Sequence, residues 1–113
     1  MLVIIESPFG AKDPAVLEEN KRYLDECLAD SLKRGEAPYA SHKLYPGVLD
    51  DNVPDQRRQG MEAGFAWGER GDLVAVYVDR GLSAGMVEGV KKAQARGQKV
   101  VFRSVKLGNM GTL

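Results

Sequence analysis

The chain has 113 residues, 43% hydrophobic and 28% charged, which makes one domain with enough apolar material for a core. Sixteen Lys and Arg balance sixteen Asp and Glu, removing the basic footprint of a nucleic-acid binder, and no run approaches the roughly 18 apolar residues of a membrane span. One cysteine, Cys27, and one histidine, His42, exclude an internal disulfide, a cysteine-based zinc cluster and a multi-histidine metal centre. No metal, cofactor, membrane or nucleic-acid partner is expected. Met1–Ile5 is too short for a signal peptide and lacks its basic flank, so a cytoplasmic location is expected.

Leu2-Val3-Ile4-Ile5-Glu6 is short, β-branched and almost wholly apolar, as suits a strand buried on both faces, and Ser7-Pro8-Phe9-Gly10 stops it. Asp13-Pro14 is a helix start with an acceptor at the N-cap and proline in the first turn. Leu17, Tyr23, Leu24, Cys27, Leu28, Ser31 and Leu32 then form one apolar stripe, and Gly35 ends the helix after Lys33-Arg34. Ala37-Pro38-Tyr39-Ala40 reads as a short edge strand, and Ser41 to Pro54 as a long loop without periodicity.

A second helix is predicted over about Pro54–Glu69, and its small residues Gly60, Ala63, Gly64 and Gly68 suit close contact, including a dimer interface. Leu73–Val78 is a second continuous apolar strand. Ser83 caps a third helix that ends at Gly97, and Lys99–Val105 is the last strand. The alternation predicts a small Rossmann-like α/β domain over residues 1–106, with about four mostly parallel strands and helices on both faces. Residues 107–113 read as a flexible tail.

Ligands of open α/β sheets sit beyond the carboxyl ends of the strands. Three segments converge there: Glu6–Phe9, Ala37–His42 and Asp79–Met86. In the last, glycines permit close approach and exposed helix-start amides favour an anion such as a phosphate, although Gly81, Ser83, Gly85 and Met86 also suit a plain capped turn. Ser7, after Glu6 and before Pro8, can donate to a sugar or phosphate, and Phe9 can stack on a base or simply cap the core. His42, beside Tyr39 and Ser41, is a candidate acid or donor or a merely structural imidazole. Arg57, next to Arg58 in a first turn, opposes the helix dipole and so suggests a phosphate or carboxylate partner, or is simply a solvated charge.

Ser7-Pro8-Phe9 after the first strand, and Asp79–Met86 entering a helix, resemble two signatures of nucleoside 2-deoxyribosyltransferase-like proteins, within the SLOG superfamily of Rossmann-like nucleotide-binding domains. Gly35–His42 with Arg57 and Gly85-Met86 resembles a small, mostly phage-encoded branch. The resemblance implies transferase or hydrolase chemistry at a nucleoside's N-glycosidic bond, with a helix glutamate in a Gly-Thr-x-x-Glu pattern as nucleophile or stabiliser. Here the stretch reads Gly85-Met86-Val87-Glu88-Gly89, so the glutamate position falls on Gly89 and Glu88 comes one residue early. A register set on Ser83 instead puts Glu88 in place.

The Gly85 register favours a binding protein. It implies a nucleotide or ADP-ribose-type signal held at the strand ends, in a phage protein that senses or sequesters it. The alternative is an N-glycosidase or deoxyribosyltransferase with Glu88 as catalytic nucleophile and Asp79 or His42 handling the proton. A third reading is a protein-interaction scaffold. A homodimer or larger homo-oligomer is expected, since a partner subunit would deepen the shallow pocket of a four-stranded sheet.

Overall fold

A computed structural model describes residues 1–113. The elements are β1 (Leu2–Glu6), α1 (Pro14–Lys33), β2 (Ala37–Tyr39), α2 (Ser41–Leu44), α3 (Pro54–Gly68), β3 (Leu73–Tyr77), α4 (Ala84–Ala95), β4 (Lys99–Ser104) and β5 (Gly108–Thr112). The strands form one sheet in the order β2-β1-β3-β4-β5. The first four are parallel and β5 pairs antiparallel to β4. The chain therefore has the expected mostly parallel, Rossmann-like α/β architecture.

Strand direction and helix placement follow from the residues. β3 is the central strand and every one of its residues is buried, which is why Leu73–Tyr77 is apolar without alternation. On one side of the sheet Val3, Ile5, Leu73, Ala75 and Tyr77 pack with Tyr23, Leu24 and Cys27 of α1. On the other, Val74, Val76 and Val100 pack with Met86 and Ala93 of α4, and Ile4 and Phe102 join them. The termini of α1 behave as its sequence predicts: Asp13 Oδ1 accepts from the Ala15 amide at 2.9 Å, and Gly35 takes φ +80° just past the helix end.

One expectation is corrected. Residues 108–112, read above as part of a tail, pair with β4 as an edge strand, and the Leu113 amide donates to the Val100 carbonyl at 2.9 Å. Three of the small residues of α3 make close contacts within the chain. A Cβ on Gly64 would lie 3.0 Å from Ser41 Cβ, one on Gly60 3.3 Å from Leu49 Cδ1, and one on Gly68 3.4 Å from the Arg96 guanidinium. The glycine stripe thus seats α3 on α2, the following loop and the end of α4. The loop expected at Ser41–Pro54 begins with the single turn of α2. No helix is long and apolar enough to cross a membrane.

Candidate functional site

The strand order changes direction between β1 and β3: from β1 the chain crosses to β2 on one side, and later strands fill the other. In sheets of this order the crevice beyond the carboxyl ends at that switch point is the usual ligand position. Glu6 ends β1 there, and α4 follows β3 over the same end of the sheet.

Side chains alternate along β1, so Glu6 lies on the α4 face with Ile4, opposite Val3 and Ile5. Its carboxyl is pressed onto Gly89 of α4. A Cβ at Gly89 would lie 2.7 Å from Glu6 Cδ and 3.0 Å from Oε1, so a side chain there would require the Glu6 carboxyl to move aside. The carboxyl forms no hydrogen bond or salt bridge with the rest of the chain. Burial raises its pKa to about 7, against a weaker opposing pull from Arg96.

Gly85 lies four residues before Gly89, one turn along the same helix face. It is open, since a Cβ there would meet nothing nearer than Ser83 Oγ at 3.9 Å. The α4 entrance is partly self-capped. Ser83 Oγ accepts from the Met86 amide at 3.2 Å, and Met86 Sδ accepts from the Ser83 amide at 3.4 Å. The amides of Ala84 and Gly85, at the start of the helix, keep no partner within it. Met86 itself is buried in the α4 core, which corrects its reading as a ligand contact. Glu88 is exposed, whereas Gly89 is buried against the Glu6 carboxyl.

Of the other expected residues, Phe9 lies on the α1 face with His42 stacked on it, while Tyr39, in register with Ile4, lies on the α4 face beside α3. Phe9 is buried and its ring stacks on His42, centroids 4.7 Å apart at 26°. The two line a cleft of about 250 Å³ with Lys21, Leu24, Lys43, Pro46 and Gly47. Packing of the imidazole lowers the His42 pKa; Asp51 opposes that shift and Arg57 reinforces it. Arg57 is exposed and holds no carboxylate, whereas Arg58 pairs with Asp55 at 2.8 Å. Ser7 is 3% exposed and its hydroxyl has no partner. Pro8 is half-buried beside it. Tyr39 packs tilted against Trp67 at 5.5 Å, its hydroxyl 3.3 Å from that of Tyr45, while Ser41 abuts Gly64. Gly81, at φ +81°, makes the turn after β3.

Asp79 is tied into the fold on the α1 face. It accepts from Tyr23 Oη at 2.6 Å, Ser104 Oγ at 2.5 Å and the Val105 amide at 2.9 Å. Burial would raise its pKa, but these hydrogen bonds outweigh it and bring the value down to about 2. A carboxylate so held closes the β3 and β4 ends together, and this corrects its reading as a proton handler. It also forms one wall of a charged cleft of about 350 Å³ with Arg22, Arg80 and Lys106. The residues expected to form one pocket are thus divided between the two faces. Glu6 and Gly89 are the pair that sequence reasoning missed as a unit; the signals were an acidic residue closing an apolar strand and a glycine where a side chain would be expected.

The fold is similar to those of two enzymes. The 2-deoxyribosyltransferase of Bacillus psychrosaccharolyticus superposes with a TM-score of 0.73 at 11% identity, over 92% of this chain and 72% of that one. The CMP N-glycosidase of Clostridium botulinum superposes with a TM-score of 0.56 at 14% identity, over 92% of this chain and 71% of that one. No curated protein matches the chain in sequence. Residues 1–103 match the profile of a family described as a domain of unknown function, DUF7768, and the chain belongs to that family.

Proposed function

We propose that this protein binds a nucleoside- or nucleotide-type small molecule at the carboxyl edge of its sheet, where β1 ends against α4. The observation that carries the reading is the juxtaposition at the switch point of an unpaired carboxyl on Glu6 with the open, amide-bearing first turn of α4. That arrangement offers a hydrogen-bonding group for a sugar or base and a place for an anion one helical turn away. Both similar folds belong to enzymes whose names specify nucleoside or nucleotide substrates, which supports this ligand class by analogy of fold.

Isothermal titration with nucleosides, nucleoside monophosphates and cyclic ADP-ribose isomers tests the proposal. Heat with at least one ligand is expected, reduced when Gly85→Val fills the open turn and unchanged when Glu88→Gln alters the outward face. Absence of heat with the whole panel refutes it.

A further inference from the structure

We propose that Ser41–Gly68 is a flap: α2, the loop after it and α3 open as one unit while the rest of the domain stays folded, and so control the cleft at Phe9. The segment stands outside both hydrophobic cores, which contain Ala40 and Leu73 but no residue between them. α2 buries no residue and α3 buries Gly68 alone, whereas α1 buries five and α4 three. From Ser41 to Gly71 the one backbone hydrogen bond to a residue outside is local, from the Lys43 amide to the Ala40 carbonyl at 3.0 Å. Within the segment the chain is knit together. The Leu49 amide donates to the Tyr45 carbonyl at 2.8 Å, the Asp50 amide donates to Gln56 Oε1 at 2.7 Å, and Gly60 and Gly64 receive Leu49 and Ser41. A stretch that is coherent inside and weakly tied outside is the kind of unit that opens at a lower free energy than global unfolding.

The ties to the body are few, and they rank. On the α1 face the His42 ring lies on Phe9, and Lys43 pairs with Asp25 at 2.6 Å between side chains that are more than half exposed. On the α4 face Trp67 leans on Tyr39, and the Lys92 ammonium sits 4.5 Å from the centre of the Phe65 ring. The Tyr39 and Tyr45 hydroxyls stand 3.3 Å apart. The base is held more firmly: Gln98 Nε2 donates to the carbonyls of Gly68 at 2.7 Å and Gly71 at 2.9 Å, and Gly71 rests on Ile4. The hinge points are therefore Ala40 and Gly68–Gly71, and the His42–Phe9 stack is the clasp. The cleft of about 250 Å³ is the seam between the two parts. Phe9, Lys21 and Leu24 form its body wall, and His42, Lys43, Pro46 and Gly47 form its flap wall. Opening lifts His42 from Phe9 and widens the cleft while the sheet stays paired. The device is independent of which ligand the protein takes.

Native-state hydrogen exchange, followed by NMR at low urea concentrations with no ligand present, tests the flap. A 15-residue helix lifted off its support is only marginally stable in water, so the amides of α3 exchange whenever the flap opens. They and the hydrogen-bonded amides of Tyr45, Val48 and Leu49 should share one urea dependence and exchange at least about a hundredfold faster than those of β3. His42→Ala removes the clasp and should speed the flap amides about two- to tenfold. Val76→Ala, deep in the α4-side core, should speed the β3 amides at least about tenfold and leave the flap amides unchanged, because their opening keeps that core intact. Flap amides as slow as those of β3, or different urea dependences in α2 and α3, overturn the proposal. So do flap amides that accelerate together with β3 in Val76→Ala, which would make the segment part of the cooperative core, and flap amides unchanged in His42→Ala.

Discussion

Replacing Glu6 by glutamine tests the electrostatic part of the reasoning with no ligand present. The carboxyl ionises near 4.5 in the unfolded chain and near 7 in the folded one. Folding therefore favours the protonated form. The contribution is whole below pH 4.5, is lost as pH rises from there to about 7, and is absent above. At about 1.36 kcal/mol for each pH unit between the two values, the ceiling is about 3 kcal/mol. Glutamine cannot ionise, so the stability difference between variant and wild type should swing in favour of the variant by about 2–3 kcal/mol between pH 4.5 and pH 7.5.

Urea unfolding followed by far-ultraviolet circular dichroism at half-unit steps of pH gives both curves. The difference curve is the measurement, because His42 acts in an overlapping range with the opposite sign. Its folded pKa is lowered, so its contribution is present above its unfolded value and is lost as pH falls. It is common to both proteins and cancels. Parallel curves for the two proteins, or a difference that runs the other way, would show that the carboxyl is solvated and refute the packing argument.

Gly89→Ala should behave differently in two backgrounds. In Glu6→Ala it gains the helical advantage of alanine over glycine, about 1 kcal/mol by chemical denaturation. In wild type the added methyl meets the Glu6 carboxyl and forces it aside, so the gain shrinks or reverses, and equal effects in both backgrounds would exclude the contact. Glu36→Ala leaves Arg103, 4% exposed, without its bidentate partner, and should cost about 3 kcal/mol or more on the same denaturation assay. Truncation after Lys106 removes β5 and bares the hydrogen-bonding edge of β4. Lower stability and concentration-dependent aggregation by light scattering are expected, and an unchanged, monodisperse protein would mean that β5 is dispensable.

The parts of this fold that were legible in the sequence are those where local chemistry and burial agree. Asp13-Pro14 and Gly35 bracket α1, and the unbroken apolar runs at Leu2–Ile5 and Leu73–Tyr77 are strands buried on both faces. β5 was not legible because Gly108-Asn109-Met110-Gly111-Thr112 has neither alternation nor strong β propensity; it is a strand because the edge of β4 offers it hydrogen bonds. The glycines of α3 were visible, but which neighbour they admit depends on how the chain returns after α2. The candidate site was half legible for the same reason. Strand exits can be read from sequence, whereas the face each side chain takes depends on the sheet, and this separates Phe9 and His42 from Glu6 and Gly85.

The two carboxyls at the exits of β1 and β3 show what that separation means. Asp79 and Glu6 both end parallel strands, and nothing in their immediate sequence distinguishes their fates. On the α1 face Asp79 meets two hydroxyls and two backbone amides, so its charge is stabilised and it joins strand ends that would otherwise fray. On the α4 face Glu6 meets Gly89 and accepts no hydrogen bond, so burial penalises its charge against a weaker pull from Arg96. A chain selected for stability alone would place an apolar residue at position 6 and let alanine fill position 89. This chain has an acid at position 6 and glycine at position 89. On the proposed binding reading, the energetic cost of Glu6 and the close approach of Gly89 have one common explanation: the carboxyl is left unpaired for a ligand group.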